Sequence, residues 1–340
     1  MGKVLVTGGA GYIGSILVRM LIDNGYQVRV LDRFYFTDHS LENIKNKAEL
    51  IRGDIRNVGK GIFDNVDTVM DLAAISNDPA GEIDPQKTID INYLGRARIA
   101  QLAKLAGVKK YILASSCSVY GFQDGILDEQ SAVNPLTTYA EANYLAEKAV
   151  LSLADENYTV SVLRQATVYG FSYRMRFDIA VNGMVGAYYK LGRFKVLRDG
   201  SQWRPFVHVK DTSKAFTMVM ESNKEKVNGQ IFNVGANDLN IQILELAKKV
   251  AKGLNKPFEY EWYGEPDMRS YRVSFDKINM VLGYTTEYDF EAGAIEIWNE
   301  MEKGTIRWDD PKTKTVNWYK TLLDWNQHIK SVVGNNGEIL

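Results

Sequence analysis

A glycine-rich segment near the start of the chain has the spacing of a dinucleotide-binding loop. Gly9, Gly11 and Gly14 satisfy the pattern G-x-G-x-x-G between a short apolar run that ends at Thr7 and an amphipathic stretch. These glycines let the backbone turn tightly and approach a pyrophosphate, which then lies at the positive end of a helix dipole. Asp32 ends the next apolar run, close to the roughly 20 residues at which such loops place an acidic group. A carboxylate there binds the adenosine ribose and repels a 2′-phosphate, so the sequence predicts NAD rather than NADP.

Other small or acidic residues follow the next predicted strands. Arg33, beside Asp32, leaves an NADP site open as an alternative. Asp54 and Ile55 follow the third predicted strand, and Leu72-Ala73-Ala74 follow the fourth, where adenine and the ribose-pyrophosphate would pass. On spacing alone, a turn aspartate and close packing of small residues explain these positions equally well.

A second group of residues carries hydroxyl groups. The run Ser115-Ser116-Cys117-Ser118-Val119-Tyr120-Gly121 ends the fifth predicted strand, and Tyr139 lies on a helix predicted after Pro135. With the glycine loop, Glu147 and the segment Arg204-Pro-Phe-Val-His-Val-x-Asp211, this run resembles the nucleotide-sugar epimerase/dehydratase family of extended short-chain dehydrogenases/reductases, of the UDP-glucose 4-epimerase-like kind. The resemblance covers roughly residues 1 to 300.

The resemblance implies a catalytic pair and shows one departure from the family pattern. Ser116 would orient a substrate hydroxyl, and the Tyr139 phenolate would remove its proton. The family has a lysine four residues after the tyrosine, where this chain has Asn143. Losing a cation about 6 Å from the phenolate, at an effective dielectric of about 20, forfeits about 3 kcal/mol or roughly two pKa units. Activity would then fall about a hundredfold unless another cation compensates.

Tyr144 and Lys148 offer a competing Tyr-x-x-x-Lys frame one turn further along. At about 100° per residue, Tyr139 and Asn143 lie beside the apolar stripe of the helix, whereas Tyr144 projects away from that stripe. The family also has a glutamate eight residues after its catalytic tyrosine, and Glu147 meets this only for Tyr139. We therefore predict Tyr139.

The motifs and the resemblance give two sets of binding residues. For the cofactor they are Gly8, Gly11, Tyr12, Ile13, Gly14, Asp32, Arg33, Asp54, Ile55, Leu72, Ala73, Ala74, Asn92, Ser115, Tyr139, Asn143, Gln165, Thr167 and Val168. For the nucleotide-diphosphate sugar they are Ser76, Asn77, Ser116, Ser118, Arg174, Asn182, Arg204 and Arg269. Arginine forks suit the diphosphate, although a single arginine is more often a solvated surface charge.

The residues after Ser116 bear on the reaction. Dehydratases of the family carry an Asp-Glu pair there to protonate the leaving hydroxide, but this chain has Cys117-Ser118. Epimerisation at C4, with the hydrogen returned to the opposite face, is therefore favoured over 4,6-dehydration. A nucleotide-sugar dehydrogenase or ketoreductase remains an alternative, as does a catalytically weak NAD-binding regulatory protein, because of Asn143.

The elements that position these residues alternate strands and helices. Strands are predicted at Val4 to Thr7, Gln27 to Asp32, Glu49 to Arg52, Thr68 to Leu72, Lys110 to Ser115 and Thr159 to Arg164. The pattern predicts the α/β class, as a Rossmann-type doubly wound parallel sheet with a smaller C-terminal substrate-binding lobe. We expect residues 1–170 and about 205–236 in the NAD-binding domain, residues 171–204 and about 237–330 in the lobe, and a flexible tail at 334–340.

Composition limits the remaining classes. Lys+Arg 41 against Asp+Glu 42 argues against nucleic acid as a partner, and no apolar stretch approaches the roughly 20 residues of a membrane span. One cysteine and three scattered histidines suggest neither a disulfide nor a metal site. We expect a cytoplasmic protein, and the resemblance implies a homodimer.

Overall fold

The computed structural model describes residues 2–37, 39–265 and 270–333. The strands, in chain order, are β1 (Lys3–Thr7), β2 (Gln27–Asp32), β3 (Ala48–Arg52), β4 (Val66–Asp71), β5 (Lys110–Ser116), β6 (Ile126–Leu127), β7 (Thr159–Gln165), β8 (Thr167–Tyr169), β9 (Phe194–Leu197), β10 (Trp203–His208), β11 (Gln230–Val234), β12 (Asn240–Gln242), β13 (Tyr260–Tyr263) and β14 (Arg272–Val273).

The helices connect these strands. They are α1 (Gly14–Asp23), α2 (Asp78–Gly81), α3 (Pro85–Ile89), α4 (Arg96–Leu105), α5 (Thr138–Leu151), α6 (Ala180–Leu191), α7 (Val209–Glu221), α8 (Lys224–Val227), α9 (Ile243–Gly253), α10 (Asp276–Leu282), α11 (Phe290–Glu302) and α12 (Thr315–Val332). Between α3 and α4, Asp90–Gly95 form a π-helical turn, a local widening that often accompanies functional sites.

The main sheet is parallel and doubly wound, so the predicted fold class is confirmed. Among the described residues it has seven strands in the order β11-β7-β5-β4-β1-β2-β3. All six predicted strands are present within one or two residues of their predicted ends, whereas β11 was not predicted. Strands β2 and β3 extend the sheet on one side of β1, and β4, β5, β7 and β11 extend it on the other. This switch between β1 and β4 places a crevice at their carboxyl ends.

Apolar residues cover both faces of this sheet. One buried cluster includes Val4, Val30 and Phe216, which packs α1 and α7 against the sheet. Another includes Leu5, Ile99 and Val162, which lie on the α4 and α5 side. Parallel strands buried on both faces read as continuous apolar runs, which explains why they could be recognised in the sequence.

Short strands and aromatic side chains form a second packed region beside the main sheet. β8, β10 and β12 make a small sheet, and β9 pairs with β13. Tyr169, Phe206 and Phe290 pack together there at centroid distances of 5.3 to 6.3 Å. β10 ends at His208, and Val209 begins α7.

Two further observations concern the described part of the chain. None of its helices combines the length and apolar character needed to cross a bilayer. Within the same ranges, no three His, Cys, Asp or Glu side chains converge in a way that would hold a metal ion. The predicted tail at 334–340 lies outside the described residues.

Candidate active site

A cavity of about 1490 Å³ opens at the carboxyl ends of the central strands. Its wall contains most of the residues that sequence reasoning selected for the cofactor and the sugar. Those present in the wall are Gly8, Gly11, Tyr12, Ile13, Gly14, Asp32, Arg33, Asp54, Ile55, Leu72, Ala73, Ala74, Ser76, Asn77, Ser115, Ser116, Ser118, Tyr139, Asn143, Gln165, Thr167, Val168, Arg174 and Arg204. The predicted residues therefore converge on one space.

Two of the predicted residues, Asn92 and Asn182, lie outside the cavity wall. Asn92 is buried and both ends of its amide bind the backbone of Ile75, at 2.8 and 2.9 Å, so it shapes the loop after β4 without lining the cavity. Asn182 is also buried; its amide binds Gly170 N at 3.0 Å and the Tyr12 hydroxyl at 3.0 Å. Arg269 lies outside the described residues.

The glycine loop is tightly packed where it enters α1. A Cβ at residue 14 would lie 2.2 Å from the carbonyl oxygen of Gly8, and Gly8 itself has a φ of 67°. Gly11 N donates to the same carbonyl at 3.0 Å, which closes the turn. Only glycine fits these positions, and the loop leaves the start of α1 open to the cavity for a pyrophosphate.

Asp32 stands at the edge of the cavity with its carboxylate fixed. It accepts hydrogen bonds from Ala10 N at 3.0 Å and Phe34 N at 2.7 Å. Burial raises the pKa of Asp32, and the backbone hydrogen bonds oppose that rise. The fixed carboxylate retains free lone pairs for a ribose diol.

The arginine beside Asp32 is directed elsewhere. Arg33 forms an ion pair of 2.5 Å with Asp54, which Arg56 also contacts at 2.7 Å. Burial acts to raise the pKa of Asp54, but hydrogen bonds from the two arginines hold it well below its usual range. Arg33 is thus engaged by a carboxylate, which weakens the NADP alternative.

Aromatic side chains that sequence reasoning missed close this end of the cavity. Tyr319 of α12 packs edge-on against Phe36, at a centroid distance of 5.3 Å. The buried guanidinium of Arg174 also lies over the Phe36 ring, 3.6 Å from the ring centroid. Trp318 Nε1 donates to the carbonyl oxygen of Tyr35 at 2.6 Å. The C-terminal helix is therefore part of the cavity wall.

Ser116 and Tyr139, the predicted catalytic pair, both lie in the cavity wall. The Ser116 hydroxyl is close enough to the Tyr139 hydroxyl to lower the pKa of Tyr139. Ser116 caps the turn that follows β5 by accepting from Ser118 N at 3.1 Å, and Thr137 caps α5 by accepting from Ala140 N at 3.1 Å. These two caps fix the ends of the elements that carry Ser116 and Tyr139.

Several charges surround the Tyr139 hydroxyl. Burial raises the pKa of Tyr139, and the negative charge of Asp78 raises it further. The Ser116 hydroxyl and the positive charges of Arg96 and Arg176 lower the pKa. Arg96 was not singled out from the sequence.

Tyr144 and Lys148, the competing Tyr-x-x-x-Lys pair, have a different environment. Tyr144 is absent from the cavity wall, and Lys148 lies 5.3 Å from the centroid of its ring. Glu147, in contrast, is buried beneath β5, where it accepts from Ser115 Oγ and pairs with Arg164 at 2.7 Å. This arrangement supports the Tyr139 frame.

Arginines line the part of the cavity beyond Tyr139, together with polar groups that have no hydrogen-bond partner within the described ranges. Arg176 binds Asp178 at 2.9 Å and the carbonyl oxygen of Ser76 at 2.8 Å. Among the described residues, the buried Ser118 Oγ and both amide atoms of Gln202 have no hydrogen-bond partner. Gln202 is 4% exposed and lines the cavity beside Arg204. Buried polar atoms without partners are rare, and in a cavity they indicate a polar ligand.

Comparison with known proteins gives a consistent result. Residues 4–235 match the model of the NAD dependent epimerase/dehydratase family. A UDP-glucose 4-epimerase of Lactobacillus helveticus is 31% identical over 312 residues, spanning 84% of this chain and 93% of that protein. A putative UDP-glucose 4-epimerase of Methanocaldococcus jannaschii is 32% identical over 310 residues, spanning 88% and 98%.

Solved structures agree in fold. MoeE5 in complex with UDP-glucuronic acid and NAD has a TM-score of 0.80 at 27% identity, covering 89% of this chain and 100% of that one. The UDP-glucose 4-epimerase of Thermotoga maritima with UDP-glucose has a TM-score of 0.79 at 25% identity, with the same coverage.

Proposed function

Because the chain belongs to the NAD-dependent epimerase/dehydratase family, we propose that it is an enzyme that inverts C4 of a nucleotide-diphosphate sugar. The observation that carries this proposal is the single cavity in which the glycine loop and Asp32 meet Ser116 and Tyr139. NAD is the cofactor of the family, and the loop fits it. The glycine turn leaves backbone N–H groups for the pyrophosphate, and Asp32 accepts from the ribose.

The chain's own residues perform the proton chemistry. NAD bound in this cavity would supply the acceptor and donor of the C4 hydride. Ser116 holds the C4 hydroxyl by a hydrogen bond, while ionised Tyr139 removes the hydroxyl proton and gives it back after the ketone has rotated. Asn143, on the next turn of α5, lines the cavity where the family lysine would lie.

The residues after Ser116 support epimerisation over loss of water. Cys117 is fully buried and donates to the carbonyl oxygen of Arg164 at 3.3 Å. Burial raises the pKa of its thiol far above its usual value. A thiol in that state is no acid for a leaving hydroxide, and the hydroxyl of Ser118 is weaker still.

We propose that the far end of the cavity binds the nucleotide. Arg204 lies there 5.5 Å from the ring centroid of Tyr271, beside the unsatisfied amide of Gln202. Arginine suits a diphosphate, and a buried amide suits a polar base. MoeE5 and the Thermotoga maritima enzyme were solved with UDP-sugars, so UDP is our first choice. Substrate roles for Arg174, Arg269 and the remaining predicted site residues stay proposals, whereas the amide of Asn182 is already engaged by Gly170 and Tyr12.

The test is to incubate the pure protein with NAD and UDP-, GDP-, dTDP- and CDP-sugars and to follow each mixture by proton NMR. A C4 epimer formed at constant NAD supports the proposal. A keto sugar with accumulating NADH would replace it by a dehydrogenase, and a keto-deoxy sugar by a dehydratase. NAD binding without any turnover would favour a regulatory protein.

Three finer features complete the proposal. We propose that residues 1–170 and about 205–236 bind NAD, while residues 171–204 and about 237–330 form the substrate lobe; the return of β11 to the main sheet supports this division. A homodimer formed through α4 and α5 would cover the exposed Leu105, which light scattering would detect. Cytoplasmic location and a role in carbohydrate biosynthesis follow from the proposed reaction.

A further inference from the structure

The side chain of Asn143 connects Tyr139 to a buried cation. Asn143 is 1% exposed, and its amide nitrogen donates to the carbonyl oxygen of Tyr139 at 2.9 Å. Its amide oxygen accepts from Nη1 of Arg96 at 2.9 Å. An amide can join these groups because it presents a donor and an acceptor, whereas a lysine ammonium has donors only.

The Arg96 guanidinium lies directly beneath the catalytic centre. Arg96 is fully buried at the start of α4, just after the π-helical turn. Its Nη2 donates to the carbonyl oxygens of Asp71, at 3.0 Å, and Ala114. These carbonyls stand at the carboxyl ends of β4 and β5, one to two residues before the cavity residues Leu72 and Ser116. The guanidinium thus sits between the sheet and α5.

A carboxylate partly balances this charge. Asp71 Oδ2 lies 3.7 Å from Arg96 Nε, which has no hydrogen-bond partner among the described residues. The two oxygens of Asp71 accept from the hydroxyls of Thr7 and Tyr111. The Nη1 end of the guanidinium instead donates to the amide oxygen of Asn143. Charges in a buried, low-dielectric setting act over longer distances than surface charges do.

The charged groups that act on Tyr139 come from three parts of the chain. Asp78 of α2 opposes ionisation of the hydroxyl, and Arg96 of α4 favours it. Arg176, in the segment before α6, also favours it but shares its charge with Asp178. Arg96 is the cation of this set that contacts Asn143.

We propose that Arg96 is a positioning residue which, through Asn143, supplies Tyr139 with the positive charge that the family takes from a lysine at position 143. Asn143 and Arg96 together replace one lysine: the amide occupies the cavity wall and the guanidinium carries the charge below it. This inference rests on the proposed function for its catalytic meaning, but the charge effect itself requires no sugar.

The test is to titrate the Tyr139 hydroxyl of the NAD-bound protein by ultraviolet difference absorbance, with Tyr139→Phe in each background as the blank. We expect Arg96→Met to raise the pKa of Tyr139 by about one unit or more, which corresponds to a tenfold change in ionisation. The double variant Arg96→Met/Asn143→Lys should restore the lower pKa. Asn143→Lys alone should reduce thermal stability, because it adds a second cation beside Arg96.

A matched control separates charge from structure. Arg98 lies on the same helix and donates to the carbonyl oxygens of Ile55 and Val58, at 3.3 and 2.7 Å. Arg98→Met should therefore cost stability without changing the titration of Tyr139. Where Arg96→Met does not fold, Arg96→Lys, which keeps the charge, is compared with Arg96→Gln, which removes it.

The outcomes are distinct. An unchanged Tyr139 pKa in Arg96→Met, or a double variant that titrates like Arg96→Met, would overturn the role of Arg96. If a substrate is found, the pH profile of kcat should shift with the titration, and the double variant should recover at least tenfold in kcat at neutral pH. A failure to find any sugar substrate leaves the titration readable, so the two proposals fail separately.

Discussion

The carboxylate of Asp32 accepts a hydrogen bond of 3.0 Å from the backbone nitrogen of Ala10, which ties the end of β2 to the glycine loop. The residue proposed to bind the ribose is therefore held by the loop proposed to receive the pyrophosphate. Removing its charge should affect both parts of the cofactor site, while the neighbouring ion pair of Arg33 should matter little.

For Asp32→Asn we expect NAD to bind about tenfold more weakly, or about 1.4 kcal/mol, and NADP to bind relatively better because repulsion of the 2′-phosphate is removed. Isothermal titration calorimetry with both dinucleotides measures this. Arg33→Ala is the control, since Asp54 already engages that arginine at 2.5 Å. Unchanged NAD affinity in Asp32→Asn would contradict the assignment.

Gly14→Ala should damage the loop. The new Cβ would lie 2.2 Å from Gly8 O and 2.6 Å from Gly9 Cα, both backbone atoms. We expect a loss of about 1 to 3 kcal/mol in the free energy of unfolding and at least tenfold weaker NAD binding. Gly59→Ala is the matched control, because no atom lies within 4 Å of the position its Cβ would take. Equal effects in the two variants would refute the packing argument.

Tyr139→Phe should lower kcat by about 10² to 10⁴ with little change in NAD affinity, because only the reactive oxygen is removed. Tyr144→Phe tests the competing frame and should retain most activity, since Tyr144 does not line the cavity. Rates of epimer formation by proton NMR distinguish the two. The Tyr139 assignment fails if the larger loss occurs in Tyr144→Phe.

Gln202→Met should stabilise the free protein and weaken substrate binding. Both amide atoms are buried without a partner among the described residues, so removing them relieves a cost of about 1 kcal/mol. Thermal unfolding and the KM for a nucleotide sugar measure the two effects. Gln165→Met provides the contrast, because Gln165 accepts from Thr212 at 2.6 Å and its loss should destabilise. Destabilisation by Gln202→Met would mean that the amide is paired in solution.

Acid should weaken the second lobe through Glu296. Burial acts to raise its pKa, but hydrogen bonds from His208 and Lys210 lower the pKa from 4.5 to about 2. A depressed carboxyl pKa stabilises the fold above about pH 4.5, and this contribution is lost as the pH falls towards 2. We expect about 1 to 2 kcal/mol after solvent screening. Thermal unfolding of Glu296→Gln should show a smaller acid dependence than the parent protein; equal slopes would exclude this role.

Local sequence patterns were sufficient to predict the glycine loop, the position of Asp32 and the central strands. Each depends on residue types at short spacing, and buried parallel strands are continuous apolar runs. Ser116 and Tyr139, in contrast, were predicted from the family resemblance; Ser116 ends β5, Tyr139 lies in the first turn of α5, and both line the crevice. Residues at such ends converge by topology, without knowledge of the packing.

Arg96 and α12 could not be found in this way. Arg96 meets Asn143 only after β4, β5 and α5 have assembled, and its sequence context is an ordinary amphipathic helix. Asn92 and Asn182 illustrate the opposite case. Their residue type suits a ligand, but backbone groups take up their amides, which depends on loop conformations that spacing does not encode.

The bond between Trp318 Nε1 and the carbonyl oxygen of Tyr35 joins residues 283 positions apart. At roughly 5 to 20 residues per second, a ribosome makes the second partner about 15 to 60 seconds after the first. The glycine loop and Asp32 therefore emerge early, while the aromatic wall that Tyr319 adds beside them arrives late. During synthesis the cavity wall therefore stays incomplete until α12 has left the ribosome.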